Sequence, residues 1–570
     1  MILDLTGLKS LDYNVLIILN RIADETKTDY NALIEEFSSK YGEDIDWWVT
    51  PTASRNVFTN KLFEYCCYIR LVRELLSIRK TELKQIVVDS KSLAGVMQQI
   101  VNSEKIQVVV KVDRPIKTPI TAFFCNVKNI ASIIFHITSQ KIFSLVYRKR
   151  NSLPLEGVVL LDTFIYPFSF KDDCFVDRHY PNLEYYLSEQ ERKRIAYVPT
   201  FYKVKNYANI LKSIRRCSSQ FILKEDYLSI GDYLYALSHG LRLTKYLRGS
   251  HIFDGIDVSE MFRAGITSSA FSLSSVYALL NYRLVKNLSE QKIRVTRVID
   301  WFENHGIDRG LNAAVRRYYP DVVVVGYVGY VPPSLYLCAY PTNQEYRKKI
   351  LPNEIAVIGN SWIRPIKQFC TELKVVEAPA FRFMEKDIKR NEKPYGILVA
   401  LPIMLDEAVS VVELVLGIFE INDVRARLIL NIDFTVKPHP ATSANEIKSR
   451  LSKNIPENVS FTMEPFENLV SSTEVLISST SSVCMETVAI GIPVIVVANQ
   501  YGITQLSIPT DVAKEIWTLC YTAEEIIKSI DNLVLERRDK LNKIGNTIRS
   551  QYFNPASKYS VKKFLGLIQE

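Results

Sequence analysis

The sequence predicts an α/β protein with two parallel-sheet domains that face one cleft. Short runs rich in β-branched residues alternate with helical patterns from Gln85 onwards, which is typical of β-α-β units. In two places, before Lys437 and before Ser478, a buried strand runs directly into polar residues. Because ligands of open α/β sheets bind beyond the carboxyl ends of strands, we expect both polar segments to line the same crevice.

The composition indicates an ordinary globular protein of two or three domains. The chain has 570 residues, with 47% hydrophobic and 23% charged residues. The net charge of +9 suits anionic ligands and an anionic membrane surface, and no zinc-finger spacing or long basic run supports nucleic-acid binding. Nine cysteines without a Cys-x-x-Cys pair and an N-terminus without a signal peptide predict a cytoplasmic protein.

The main predicted site combines two motifs that follow neighbouring strands. The first is Lys437-Pro-His439-Pro, in which the two prolines stiffen the loop around the histidine. The second is a run of hydroxyl side chains from Ser478 to Ser482 that opens a helix containing Glu486. Helix N-termini offer free N–H groups to phosphate, and a carboxylate such as Glu486 can accept hydrogen bonds from ribose. The predicted nucleotide-binding residues are Lys437, His439, Ser478, Ser479, Thr480, Ser481, Ser482 and Glu486.

These motifs resemble the C-terminal domain of bacterial glycosyltransferases with two Rossmann-like domains, the GT-B fold. They are similar to the His-Pro and Ser-Ser motifs with which CMP-sugar enzymes, the Kdo transferases and polysialyltransferases, hold the CMP phosphate. CDP-glycerol glycerophosphotransferases share a similar pair. The whole chain also resembles a family of bacterial surface-carbohydrate biosynthesis proteins, including around Trp301-Phe-Glu-Asn and Asp46-Trp-Trp.

In chain order, the resemblance and the patterns predict the following organisation. Residues 1–375 form an N-terminal, acceptor-side Rossmann-like domain with a helical insertion at about 205–290. Residues 376–393 are a charged linker, residues 394–550 a nucleotide-sugar-binding Rossmann-like domain, and residues 551–570 a terminal helix that crosses back onto the first domain. Within the first domain, Tyr13 to Leu19 predicts a strand. Ile130 to Tyr147 predicts a core helix, or alternatively a helix on a membrane surface.

Polar residues of the first domain are candidates for catalysis and acceptor binding. Glu303 and Asp308 lie near a glycine-containing turn after a strand, where a carboxylate can reach substrate, and Asp257 interrupts a helical region. Arg55 and His179 follow apolar segments and are acceptor-side candidates, although a capped helix with an arginine salt bridge and a structural loop histidine are the alternatives. The catalytic candidates are thus Glu303, Asp308 and Asp257, and no metal site is predicted.

The expected function is glycosyl transfer from a nucleotide-activated sugar, CMP-linked by resemblance, to a surface polysaccharide or lipopolysaccharide. The partners are a nucleotide-sugar and a glycan or glycolipid acceptor, with peripheral contact to the inner membrane and no separate cofactor. Two alternatives remain. One is another enzyme on the same fold, either a glycerophosphotransferase or a nucleotide-sugar 2-epimerase. The other is a non-catalytic assembly protein of polysaccharide synthesis.

Overall fold

The computed structural model describes residues 1–78, 82–113, 119–147, 153–270, 272–383, 396–421, 432–534 and 537–568. The side chains of residues 119–127 are not described. Residues 384–393 of the predicted linker and the first two residues of the predicted second domain lie outside these ranges.

Twenty strands form three parallel sheets and two short hairpins within the described ranges. They are β1 Ile2–Leu5, β2 Gln85–Val88, β3 Val109–Val112, β4 Val158–Ile165, β5 Phe170–Lys171, β6 Cys174–Phe175, β7 Ile195–Phe201, β8 Gln220–Phe221, β9 Ile252–Phe253, β10 Ile256–Asp257, β11 Val295–Trp301, β12 Val323–Val328, β13 Glu354–Val357, β14 Val375–Glu377, β15 Gly396–Ala400, β16 Asp433–Lys437, β17 Val459–Phe461, β18 Thr473–Ser478, β19 Val494–Val497 and β20 Trp517–Cys520.

The two larger sheets share one winding order, which confirms the predicted α/β class with two Rossmann-like sheets. The seven-stranded sheet has the order β14-β13-β12-β11-β4-β7-β8, and the six-stranded sheet has the order β17-β16-β15-β18-β19-β20. In each, the chain enters at a central strand, moves outwards on one side and then returns to the other side. The first switch point therefore lies between β4 and β11, and the second between β15 and β18. Ligands of such sheets bind beyond the carboxyl ends at the switch point.

Helices cover these sheets and fill the region between β8 and β11. The α-helices are α1 Tyr13–Tyr41, α2 Ile45–Trp48, α3 Pro51–Ser54, α4 Leu62–Ile78, α5 Lys91–Ser103, α6 Pro119–Val146, α7 Glu189–Arg192, α8 Tyr207–Arg216, α9 Lys224–Tyr227, α10 Ile230–Leu237, α11 His239–Arg242, α12 Ser259–Ser269, α13 Leu273–Glu290, α14 Gly306–Tyr318, α15 Asn343–Arg347, α16 Ile363–Ile366, α17 Leu405–Gly417, α18 Ala444–Arg450, α19 Phe466–Val470, α20 Ser482–Val488, α21 Ala523–Val534, α22 Arg538–Tyr552 and α23 Lys558–Phe564.

The first 113 residues form a separate three-stranded sheet, β1-β2-β3, packed against long helices. The predicted domain 1–375 therefore contains two sheets. The strand predicted at Tyr13 to Leu19 is wrong, because these residues begin α1. The side chain of Asp12 caps this helix, and the buried residues Val15, Leu16 and Leu19 recur at helical spacing.

The six-stranded sheet packs onto the rest of the chain through shared apolar core and through the C-terminal helices. Leu398 and Leu476 of this sheet belong to the same buried cluster as Tyr327 of the seven-stranded sheet. In α23, Lys562 pairs with Glu191 at 2.7 Å, and the ring of Phe564 lies 5.1 Å from that of Tyr327. The end of the chain thus lies against the first large sheet.

A buried ion network joins the N-terminal helices to the seven-stranded sheet. The Arg55 guanidinium donates to Glu345 at 2.9 Å, and the Arg309 guanidinium donates to the same carboxylate. All three side chains are at most 2% exposed. Burial alone would raise the pKa of Glu345, but the charges of Arg309 and Arg55 outweigh it, so this pKa lies below its ordinary value. Arg55 is therefore a structural residue and not an accessible acceptor-binding group.

We expect Glu345→Gln to destabilise the protein by about 3–5 kcal/mol, because it leaves two buried guanidinium charges without their counter-ion. Urea unfolding followed by tryptophan fluorescence would measure this loss. The matched control is Glu189→Gln, which removes an exposed carboxylate paired with Lys193 and should leave the unfolding midpoint unchanged. Equal midpoints for the Glu345 variant and the unmodified protein would contradict the role of the network.

Candidate functional site

Glu303 stands just beyond the carboxyl end of β11, at the first switch point. Its Oε1 accepts a hydrogen bond from the Trp301 indole N–H at 3.0 Å, and its Oε2 accepts one from the Tyr336 hydroxyl at 3.4 Å. The side chain is 33% exposed. The carboxylate is thus held by two donors and still reaches solvent, as a catalytic base or nucleophile requires.

The loop that carries Glu303 is fixed from below by Asp308. The buried Oδ2 of Asp308 accepts the backbone N–H groups of Glu303 at 3.0 Å and of His305 at 2.8 Å. The ring of His305 contacts the Tyr336 hydroxyl, and its Nδ1 lies 3.7 Å from Glu303 Oε2. Asp308 therefore orients the loop and the start of α14, and its carboxylate does not face a substrate.

Three buried carboxyl groups lie beneath Glu303. Burial raises the pKa of Asp300, Asp162 and Asp308 well above the ordinary range, and each is raised further by a neighbouring carboxylate of the group. Like charges in a buried site cannot all ionise, so these groups favour their neutral forms. No group of three or more His, Cys, Asp or Glu side chains in the described ranges is arranged to hold a metal ion.

His179 lies close to Glu303, whereas Asp257 does not contact it. The His179 ring is 4.1 Å from the ring of Trp301, which itself donates to Glu303. Burial, and then the charges of Arg382 and Arg178, lowers the pKa of His179 to about 3. His179 is a buried neutral residue behind the site. Asp257 is exposed in the β9–β10 hairpin and accepts hydrogen bonds from Ser259 at the start of α12.

In the six-stranded sheet, Lys437 ends β16 and His439 follows it. The Nδ1 of His439 accepts the backbone N–H of Ala441 at 3.1 Å, so the ring proton is on Nε2, which is left to donate. Burial lowers the pKa of His439, and the charges of Arg178, Lys203 and Lys437 lower it further. Burial also lowers the pKa of Lys437. His439 is therefore a neutral hydrogen-bond donor surrounded by cations.

The hydroxyl run after β18 is used largely by the protein itself. Ser478 donates to the Ala400 carbonyl at 2.7 Å, and the Thr480 hydroxyl bonds to Gln505 and Glu407. Ser481 is the N-cap of α20, which has only seven residues. The Ser479 hydroxyl is buried without a hydrogen-bond partner, and Ser482 lies 3.4 Å from Glu486.

The expectation that all five hydroxyl groups act as ligand donors therefore differs from the structure, whereas the predicted helix containing Glu486 is present. The run chiefly caps α20 and forms hydrogen bonds to neighbouring segments of the protein. The Glu407 carboxylate also occupies the backbone N–H of Thr480, at 3.4 Å. Of this motif, only Ser479, Ser482 and Glu486 remain candidates for the predicted nucleotide binding.

Three cations of the first large sheet face the motifs of the second, and the sequence-based prediction missed all of them. Arg178 and Lys203 act electrostatically on His439. Burial lowers the pKa of Arg382, Arg178 lowers it further, and the charges of Glu486 and Glu303 raise it again. Arg382 thus lies within electrostatic range of a carboxylate from each sheet.

Two of the missed residues, Arg178 and Lys203, had a partial signal in the sequence, whereas Arg382 and Tyr336 did not. Arg178 precedes the candidate His179, and Lys203 follows the buried strand β7. Arg382 lies in the segment predicted as a charged linker, where its charge does not distinguish it from the neighbouring charged residues. Tyr336, which donates to Glu303, lies 33 residues away in a segment without a recognisable motif.

No protein-family model matches this sequence, and no curated protein matches it. Among solved structures, it is similar to the N-terminal domain of Candida albicans trehalose-6-phosphate phosphatase, at 12% identity and TM-score 0.40, over 72% of this chain and 97% of that one. Acinetobacter baumannii MurG gives 11% identity and TM-score 0.37, over 72% and 100%. UDP-GlcNAc 2-epimerase from Neisseria meningitidis, bound to UDP-GlcNAc, gives 14% and 0.40, over 72% and 99%. At these identities no site residue can be transferred from them.

We expect the protein to lose stability on acidification through His179. The unfolded chain binds a proton at this histidine below about pH 6.5, whereas the folded chain does so only near pH 3. Lowering the pH from 6.5 towards 4 therefore favours unfolding, by about 1.4 kcal/mol for each pH unit. Urea unfolding over this range should show a flatter pH dependence for His179→Gln than for the unmodified protein. Parallel pH profiles would show that His179 is protonated when folded.

Proposed function

We propose that this chain is a glycosyltransferase that moves a sugar from a CMP-activated donor to a bacterial surface polysaccharide or lipopolysaccharide. The observation that carries the proposal is the pairing of Glu303, anchored by Trp301 and Tyr336, with a group of cationic and donor residues from both large sheets. An acidic group and an anion-binding group on facing edges are what transfer from a nucleotide-activated sugar needs.

The donor phosphate is proposed to bind at His439. The Nε2 of this ring would donate a hydrogen bond to the phosphate, and Lys437 would supply positive charge from the same strand end. Arg178, Lys203 and Arg382 approach from the other sheet, as their electrostatic effects on His439 or Glu486 indicate. These groups would stabilise the charge that develops on the leaving phosphate, so the proposed mechanism draws its positive charge from side chains. Glu486 is the proposed partner of the ribose hydroxyls.

Glu303 is proposed to act at the sugar. As a base, it takes the proton of the acceptor hydroxyl while the acceptor oxygen bonds to the anomeric carbon and the bond to the CMP phosphate breaks. As a nucleophile, its carboxylate oxygen bonds to the anomeric carbon as the bond to the CMP phosphate breaks and CMP leaves. The acceptor oxygen then bonds to the same carbon, its proton passes to solvent, and the Glu303 carboxylate is released. In either role, the hydrogen bonds from Trp301 and Tyr336 hold the carboxylate in place. The neutral Asp300 and Asp308 beneath it avoid adding negative charge to a site for an anionic donor.

The choice of donor rests on the two sequence motifs and on charge. Lys437-Pro-His439-Pro and the Ser478–Ser482 run resemble those of CMP-sugar enzymes. A CMP-sugar has a single phosphodiester charge, whereas Arg178, Lys203, Arg382 and Lys437 supply several positive charges around His439 and Glu486. A sugar that carries its own carboxylate, such as Kdo or a sialic acid, would use the additional cations.

We expect CMP to raise the thermal unfolding midpoint more than CDP, UDP or GDP does, because a ligand of the folded state stabilises it by mass action. A concentration of about one hundred times the Kd adds roughly 2.7 kcal/mol. The shift should be lost in His439→Ala and reduced in Arg178→Ala. The matched control is Arg263→Ala, which removes an exposed arginine paired with Glu260 in α12.

A shift with UDP alone would replace the CMP donor by a UDP donor. No shift with any of the four nucleotides would contradict nucleotide binding at this cleft and favour a non-catalytic role.

We expect Glu303→Gln to lower kcat for sugar transfer by at least about a hundredfold, the usual contribution of a positioned acid or base, with nucleotide binding retained. Transfer from CMP-Kdo or CMP-sialic acid to a lipopolysaccharide or polysaccharide acceptor would be measured by CMP release. Asp257→Asn is the matched control and should keep full activity, since this exposed residue lies in another hairpin. Loss of activity in Asp257→Asn with full activity in Glu303→Gln would assign the catalytic role to Asp257.

A further inference from the structure

We infer that the outer face of α6 is a docking surface for an anionic membrane. This inference does not depend on the proposed transferase activity. The helix has one face packed against the protein and an opposite face that is unusually apolar for a surface helix.

The inner face of α6 is held by polar contacts. Gln140 donates to the Tyr277 hydroxyl at 2.8 Å, and Lys141 donates to the Leu228 carbonyl at 3.0 Å. His136 contacts the Tyr207 hydroxyl at 3.0 Å. The orientation of the helix on its sheet is therefore fixed, and it cannot rotate to bury its other side.

The outer face of α6 consists of large apolar side chains, which we call the α6 stripe. Its members recur at intervals of three, four and seven to eight residues, so they share one face of the helix. They are Ile134 (45% exposed), Phe135 (67%), Ile142 (51%), Leu145 (53%) and Val146 (65%). A contiguous apolar patch of this kind marks a contact surface for a partner or a membrane.

The structure differs here from the favoured prediction of a core helix. Ile133 and Ile137 are buried at 5% and 6%, as a core helix requires, but the α6 stripe is not. The alternative prediction, a helix on a membrane surface, fits the observed pattern of exposure. No helix in the described ranges is both long enough and apolar enough to cross a bilayer.

Charge selects an anionic membrane as the occupant. No acidic residue occurs between Asp113 and Glu156, the segment that contains α6. The basic residues of the same segment are Arg114, Lys117, Lys128, Arg148, Lys149 and Arg150, together with Lys141, which is bound to a carbonyl on the inner face. An apolar helix face within an exclusively basic segment matches the acyl boundary and the headgroups of anionic lipids. A water-exposed protein partner would not require this lack of acidic residues.

The position of α6 relates the membrane to the cleft. Its residue His136 contacts Tyr207, the first residue of α8, and α8 begins shortly after Lys203 at the carboxyl end of β7. The helix thus passes beside the edge of the sheet at which Lys203 and Glu303 lie. A membrane bound along the α6 stripe would bring lipid-linked molecules towards that edge.

The test is co-sedimentation of the full chain with two kinds of vesicle. One contains phosphatidylcholine with about 30% of the anionic lipid phosphatidylglycerol, and the other contains phosphatidylcholine alone. We expect binding to the anionic vesicles that weakens with added salt. The double variant Phe135→Glu/Ile142→Glu should lower the partition coefficient by at least about tenfold, because two apolar side chains no longer enter the acyl boundary.

The matched control is Ile230→Glu/Leu241→Glu, which adds the same charge at two other exposed apolar positions, 79% and 76% exposed. It should bind vesicles within about twofold of the unmodified protein, since the net charge falls equally in both variants. Circular dichroism and the thermal midpoint would show that both variants are folded.

Three outcomes would overturn the inference. They are no binding to anionic vesicles, equal loss in both double variants, or a dimer in solution that only the α6 variant dissociates. The last outcome would assign the α6 stripe to a second copy of this chain. Nucleotide-induced stabilisation should be unchanged in the α6 variant, so failure of the membrane inference is distinguishable from failure of the proposed function.

Discussion

The pairing of Glu345 with Arg55 and Arg309 is the interaction on which the candidate catalytic residue depends. Asn304, the residue after Glu303, has a left-handed conformation with φ of 57°. Its side chain donates to the Cys338 carbonyl at 2.9 Å and to Glu345 at 3.3 Å, while Arg309 donates back to its carbonyl at 3.1 Å. These hydrogen bonds, together with the ion pairs of Glu345, hold the turn that presents Glu303.

The winding order of the two large sheets determines where polar side chains meet. Each sheet reverses direction beside its first strand, and the residues beyond the strand ends at these two points are Glu303 in one sheet and Ser479 in the other. Negative and positive groups of the candidate site lie in different places. Buried carboxyl groups beneath Glu303 favour the neutral form, whereas the cations Arg178, Lys203 and Lys437 lie within electrostatic range of His439. Glu303 is thus a partly exposed carboxylate within electrostatic range of Arg382.

The same residue types have different roles according to their burial. Arg55 and Arg178 are both arginines next to candidate segments, but the first is enclosed by Glu345 and the second is exposed and faces His439. The hydroxyls of Ser478 and Thr480 close internal hydrogen bonds and are therefore engaged within the protein, so the proposed anion site is centred on His439 and the cations of the other sheet. In α6, likewise, polar side chains contact the protein on the inner face, and the apolar side chains of the α6 stripe are exposed on the outer face.

The sequence by itself determined the α/β class, the two large parallel sheets and the positions of Glu303 and His439 just beyond strand ends, because local hydrophobic patterns and strand-end residues carry that information. It did not separate the third sheet, β1-β2-β3, from the first domain. It did not determine that Tyr13 begins a helix, since a short apolar run fits strand and helix alike. Only the tertiary structure decided that Asp308 and Arg55 are buried supports and that Arg178, Lys203 and Arg382 approach His439 or Glu486. Those roles depend on contacts between distant segments, such as Arg55 with Glu345, that no local pattern encodes.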